Sequence, residues 1–133
     1  MSELIKKFKN LPNFFSLKGG SAEEITNAEN TLNLKFSKEY CDYLLEFGVV
    51  SANGHEYTGI CCSPRLSVVD VTLYEREHNP NIPYDWYVIE QANIDGVVIW
   101  QNEIGEIFQT QSCCDCVKIA DSLEDYIINI SAI

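Results

Sequence analysis

The stretch from Ser21 to Phe47 constrains the fold most: two helical patterns, each behind a helix-start signal, with a glycine after the second. Ser21 stands three residues before Glu24. At that spacing the serine oxygen accepts from the Glu24 amide, and the Glu24 carboxylate reaches back to the Ser21 amide. Ile25, Ala28 and Leu32 then share one helical face. Ser37 offers a second N-cap, and Tyr40, Tyr43, Leu44 and Phe47 follow at i, i+3, i+4 and i+7. A stripe of that width packs on a sheet. Two helices are therefore expected, over about 21–33 and 38–47. Gly48 is expected to end the second with a positive φ.

Upstream, Leu4, Ile5 and Phe8 predict a short amphipathic helix that Pro12 stops, and Phe14, Phe15 and Leu17 form an apolar anchor before Gly19-Gly20. Downstream, Val49-Val50 runs into Asn53-Gly54, a strong two-residue turn signal, and Tyr57–Cys62 reads as a short strand. Val68, Val71, Thr72 and Glu75 keep helical spacing, so Val68–Glu77 is expected to be a helix despite its β-branched residues. Pro80 and Pro83 mark a loop. Tyr87-Val88-Ile89 and Val97-Val98-Ile99-Trp100 predict a hairpin whose loop ends in Asp95-Gly96. A turn at Glu103–Glu106, a third strand from Ile107-Phe108 and a fourth at Cys116–Ile119 follow. Asp121 and Glu124 repeat the capping-box spacing ahead of a last stripe of Leu123, Tyr126, Ile127 and Ile130. The predicted class is α+β: N-terminal helices packed on an antiparallel sheet meander, with a closing C-terminal helix. The length of 133 residues suits one domain over 1–133, and 46% apolar residues are enough for a folded core.

Charge is unevenly placed. The net charge is −11. Residues 1–50 hold six of the nine cations and seven acids, a net of −1. Residues 51–133 hold three cations (Arg65, Arg76, Lys118) and thirteen acids, a net of −10. An anionic surface repels phosphate backbones, so direct nucleic-acid binding is not expected. It steers a basic partner instead, although the same charge also serves simple solubility. No secretion signal and no apolar run of about 20 residues is read from the sequence, so a cytosolic protein without membrane contact is expected.

Little in the chain points to catalysis or metal. Cysteines stand at 41, 61, 62, 113, 114 and 116. Cys61-Cys62 and Cys113-Cys114-x-Cys116 raise the question of a zinc site, which usually uses C-x2–4-C knuckles, but the adjacent cysteines of each run would point to opposite faces of a strand. Buried or half-buried thiols are expected, with no zinc and no cofactor. His55, after the turn, is read as solvent-facing, and His78 stands beside Arg76 and Glu77; neither is tied to a thiol. Glu75/Glu77 and Glu124/Asp125 read as solvated faces. No phosphate loop, H-E-x-x-H or EF-hand frame occurs. Trp100 is assigned to the core and Trp86 to the surface.

Two passages carry a family likeness. The first is Ala22-Glu23-Glu24-Ile25 through Glu29, Leu32 and Leu34-Lys35-Phe36-Ser37, then Tyr40, Tyr43, Leu44, Leu45 and Phe47-Gly48. The second is Ile82-Pro83, Tyr87-Val88-Ile89, Val97-Val98-Ile99-Trp100, Gly105-Glu106-Ile107 and Ile119-Ala120-Asp121-Ser122-Leu123 through Tyr126-Ile127. In this order, over roughly 20–131, the chain resembles the SMI1/KNR4 superfamily, also called SUKH. The resemblance implies protein binding rather than turnover. Bacterial members are commonly immunity proteins that block a cognate polymorphic or contact-dependent toxin, often a nuclease with a basic surface. Fungal members are linked to cell-wall regulation and signalling through protein contacts.

The function expected from these readings is a non-catalytic, cytosolic immunity protein, with a regulatory adaptor as the alternative. Its partner would be a toxin domain, basic in charge. Candidate contacts are acids and one aromatic of the second half: Asp70, Glu75, Glu77, Asp85, Trp86, Glu90, Asp95, Glu103 and Asp115. Oligomeric state is not written in the sequence.

Overall fold

A computed structural model describes residues 3–91, 96–111 and 116–131, with residues 130 and 131 described by their backbone alone. Helix α1 (Glu3–Lys9) buries Leu4, Ile5 and Phe8. Strand β1 (Phe15–Lys18) follows, then α2 (Ala22–Leu32) and α3 (Lys38–Glu46). Both begin as expected. Ser21 and Glu24 form the reciprocal capping box, and Ser37 Oγ accepts the Tyr40 amide at 3.0 Å. The left-handed cap falls after α2, at Asn33 with φ 55°.

Gly48 does not close a helix. Helix α3 ends at Phe47 in extended backbone (φ −126°) and runs straight into β2 (Phe47–Ala52). The requirement for glycine there is close approach: a Cβ on Gly48 would lie 2.4 Å from the Lys18 carbonyl of β1. Asn53 (φ 52°) and Gly54 (φ 80°) then turn β2 into β3 (His55–Tyr57), both in the left-handed region that a tight hairpin needs. The strand expected over Tyr57–Cys62 thus lies earlier. Beyond Tyr57 the chain leaves β2, and the Thr58 amide bonds the Ile89 carbonyl at 2.8 Å.

Helix α4 (Val68–His78) precedes β4 (Tyr87–Gln91), β5 (Val98–Gln101), β6 (Ile107–Thr110), β7 (Val117–Ala120) and α5 (Leu123–Ser131). The expected meander is a four-stranded antiparallel sheet, β4-β5-β6-β7. A second antiparallel sheet, β1-β2-β3, stands beside it. The supposed apolar anchor is its edge strand: Phe15 and Leu17 are 63% and 44% exposed, and only Phe14 packs inward, against Phe47.

Tyrosines join the two sheets to α3. Tyr40 and Tyr43 stack with centroids 5.3 Å apart, and both hydroxyls reach the Thr58 carbonyl. Thr58 Oγ1 in turn donates to the Val88 carbonyl at 2.7 Å. A buried hydroxyl without such a partner is costly, so these contacts fix how α3 sits on the seam. Burial drives the phenol groups of Tyr40, Tyr43 and Tyr87 well above their ordinary values, so they act as neutral donors.

The start of α5 differs from the expected box of Asp121 and Glu124. Ser122 is the cap, its Oγ accepting the Asp125 amide at 3.0 Å. The Leu123 and Glu124 amides donate instead to the Glu39 carboxylate, at 2.7 and 3.1 Å. Asp121 pairs with Lys118. Among the described residues no helix is long and apolar enough to cross a membrane.

Candidate partner-binding face

Helix α4 has two unlike faces. Val68, Val71, Thr72 and Glu75 are buried, as their spacing predicts. Thr72 Oγ1 accepts the Val88 amide at 3.0 Å and fastens the helix to β4. Ser67 caps the first turn through the Asp70 amide. With that stripe inward, Asp70, Leu73, Tyr74 and Glu77 fall at i, i+3, i+4 and i+7 on the outer face, and all four are exposed. Leu73 and Tyr74 show 42% and 55% of their surface.

The loop after α4 extends this face with Tyr84 and Asp85, both exposed. Arg76 holds it there. Its guanidinium lies 4.0 Å from the Tyr84 ring centroid, and Nη2 donates to the Tyr84 and Leu32 carbonyls at 2.8 and 3.2 Å. Burial pulls the Arg76 guanidinium below its ordinary value, opposed by the Tyr84 contacts. Its Nε and Nη1 carry no hydrogen bond. The one cation of α4 is therefore turned into the fold.

Ion pairing separates these acids from others. Glu3, Glu29, Glu46, Glu56, Glu106 and Asp121 each meet a lysine or arginine within 3.9 Å. Asp70, Glu77 and Asp85 meet no cation among the described residues. The face is thus anionic, uncompensated and partly apolar.

Residues 1–131 match the SUKH_5 family, described as SMI1-KNR4 cell-wall. The chain belongs to the SMI1/KNR4 (SUKH) family. The match begins at the first residue and so takes in α1, which the sequence likeness over roughly 20–131 left out. No curated protein sequence matches the chain. A solved structure titled as a crystal structure of a protein from Pseudomonas syringae pv. tomato superposes with a TM-score of 0.74, covering 98% of each chain at 12% identity. Such a likeness speaks for the fold alone.

Within this SUKH chain the nine predicted contact residues divide. Asp70 and Glu77 share the outer face of α4, and Asp85 is exposed in the loop that Arg76 ties to the helix through Tyr84. Three others are buried, against the exposure that prompted their choice. Glu75 is a solvent-shielded carboxylate that accepts from Gln91 Nε2 at 2.6 Å and Asn79 Nδ2 at 3.4 Å. Trp86 is only 6% exposed, its ring stacked on Phe108 with centroids 4.0 Å apart. Glu90, 2% exposed, accepts from Tyr126 Oη at 2.7 Å and is hydrogen-bonded to His55 Nδ1. That last contact leaves His55 half-buried rather than solvent-facing. Burial first, and Glu90 second, push the Tyr126 phenol up. Glu103 is exposed in the β5–β6 turn, beside an 81% exposed Ile104 and away from α4 in sequence and sheet order. Asp95 and Asp115 lie outside the described residues.

The apolar members of the face were missed. Leu73, Tyr74 and Tyr84 were not singled out, though the inward stripe of α4 already placed the first two opposite the core. The thiols also depart from expectation: Cys41 and Cys61 are half-buried, but Cys62 and Cys116 are exposed. Burial, with Glu29 and Asp42 nearby, pushes the Cys41 thiol up to about 11. Cys113 and Cys114 lie outside the described residues. Among the described residues no cluster of His, Cys, Asp or Glu has the makings of a metal site.

Proposed function

We propose that this SUKH protein is an immunity protein that binds and neutralises a cognate toxin, presenting the outer face of α4 and the Tyr84–Asp85 loop to a basic surface. One observation carries the reading: exposed, unpaired acids alternate with exposed Leu73 and Tyr74 on one helical face. Acids kept for solubility alone need no such neighbours. The acids steer the encounter, and the apolar side chains supply the area that leaves water on docking. Family membership supports a role in protein contact. We read the chain as non-catalytic. Its histidines are engaged by Glu90 and by the Tyr74 carbonyl, and no hydrogen bond ties either ring to a thiol among the described residues. A cytosolic site of action is part of the proposal, since exposed Cys62 and Cys116 stay reduced there.

The test is co-expression with a toxin gene found beside this one, followed by pull-down, binding kinetics and cell survival. Asp70, Glu77 and Asp85 are changed together to lysine; Glu75 is left out because it is buried. The variant should fold, associate more slowly and lose protection. The association rate of the parent should fall as salt rises, with a screening length of about 8 Å at physiological ionic strength. A folded triple variant that binds at an unchanged rate and still protects overturns the assignment of this face.

A further inference from the structure

The outer face of α4 borders a cleft of about 400 Å³, lined by Pro64, Arg65, Asp70, Val71, Tyr74 and Gln91. Val71 is buried and gives it an apolar floor. Tyr74 supplies an aromatic wall, steadied by His78, whose ring centroid is 4.4 Å away at a 33° tilt. Asp70 stands one helical turn before Tyr74, so carboxylate and ring share the same side of the helix. Gln91 has its Nε2 engaged by Glu75, which leaves the amide oxygen as its unused acceptor among the described residues.

The cation in the lining is already taken. Arg65 forks onto Glu56 through both terminal nitrogens, at 2.7 and 3.1 Å. The start of α4 is not open to an anion either, because the Val68 amide bonds the Gly59 carbonyl and the Asp70 amide bonds Ser67. What the cleft has to offer is a free carboxylate, a free acceptor and an aromatic face. Those groups suit a planar cation. The chain itself holds guanidinium in both of these ways: Arg76 over Tyr84 at 4.0 Å, and Arg65 against Glu56.

We infer that this cleft receives an arginine side chain from the partner, its guanidinium laid on the Tyr74 ring and directed at Asp70. The inference rests on the proposed interface and names the group that interface would select. Occupancy replaces a water-exposed tyrosine face and an unpaired acid with one compensated contact, so arginine is the anchor of docking and the surrounding acids are its steering field.

The experiment uses the full chain, isotope-labelled, and two small probes. One is N-acetyl-arginine methylamide; the other is N-acetyl-citrulline methylamide, which has nearly the same shape but no charge. Arginine should give saturable amide shifts at Asp70 and Tyr74 and at the Gln91 side chain. Citrulline should bind at least about tenfold more weakly, and Asp70→Asn and Tyr74→Ala should each weaken arginine by a similar factor, equivalent to about 1.4 kcal/mol. Glu103→Gln, in the β5–β6 turn away from α4, should bind as the parent does. The remaining resonances report whether each variant is folded. Equal binding of citrulline, arginine shifts that fail to saturate, or shifts unmoved in both cleft variants overturn the inference. Those failures leave the lysine-reversal test of the immunity reading untouched. Saturable arginine binding beside a triple variant that still protects would overturn the proposed interface instead.

Discussion

Glu39 should be worth far more to stability than a half-buried surface acid normally is. Its carboxylate accepts from the Leu123 amide at 2.7 Å, the Glu124 amide at 3.1 Å and Gln101 Nε2 at 2.8 Å. Two of these donors are orphan amides at the start of α5, where a negative charge is favoured. Loss of a helix cap costs about 0.5–2 kcal/mol, and a hydrogen bond to a charged group contributes about 1.5–3 kcal/mol when buried. Glu39 is only partly shielded, so water replaces some of what is lost. Glu39→Ala should therefore destabilise by ~2–4 kcal/mol. Glu39→Gln keeps one acceptor but sets an NH2 against remaining donors, so it should fall between, at ~1–2 kcal/mol. Urea unfolding is the assay: the midpoint should drop while the slope holds. The neighbouring Lys38→Ala should stay within about 0.5 kcal/mol of the parent. If Glu39→Ala also stays within that margin, long-range capping of α5 contributes nothing and the reasoning fails.

Leu44 is fully buried on the inner face of α3, and Leu44→Ala should destabilise by ~2–5 kcal/mol, read by chemical denaturation against Lys38→Ala. Arg76→Ala should loosen the Tyr84–Asp85 loop, seen as faster amide exchange at residues 84–86; Arg76→Lys should restore little, because an ammonium does not lie flat on the ring. Arg65 holds the Glu56 carboxyl below its usual range of about 4.5. The sign follows from linkage: stability from this pair is present above the ordinary carboxylate range and is lost as pH falls through the lowered folded value. Urea midpoints of parent and Arg65→Ala should hence differ near neutral pH and converge in acid. A difference that persists unchanged there would rule out the pair as its source.

Local signals read well, and long-range ones did not. Ser21 with Glu24, Ser37, and Asn53-Gly54 act within four residues, and each does in the fold what its spacing predicts. Periodicity also outweighed composition in α4, where Val68, Val71, Thr72 and Glu75 face inward although β-branched residues favour strands. Gly48 went astray because its constraint is the Lys18 carbonyl, thirty residues earlier in the chain, not the helix before it. Asp121 looked like a cap because Glu39 lies 84 residues before the Leu123 amide that it caps. Glu75, Glu90 and Trp86 share a cause. Charge and size suggest exposure, but the partners that make burial tolerable are Gln91, His55, Tyr126 and Phe108, on strands of both sheets and on α5, brought together only by the tertiary fold. The candidate face was half legible: its acids were named, its apolar members were not.

The fates of the acids give the functional argument its force. Glu90 lies at the meeting point of β3, β4 and α5, with both oxygens engaged by His55 and Tyr126, so it serves the fold. Glu39 serves the fold in the same sense, as the cap of α5. Glu56 and Glu106 are half-buried and held by Arg65 and Lys118. Asp70, Glu77 and Asp85 have none of these employments, and they border the exposed Leu73, Tyr74 and Tyr84. Arg76, the cation best placed to neutralise them, is drawn down onto the Leu32 and Tyr84 carbonyls. An arrangement selected for stability alone would let Arg76 pair with a neighbouring acid and would cover the tyrosines. Here the cation is used to hold Tyr84 in place while the acids stay free. That combination makes sense when the compensating charge is brought by another molecule.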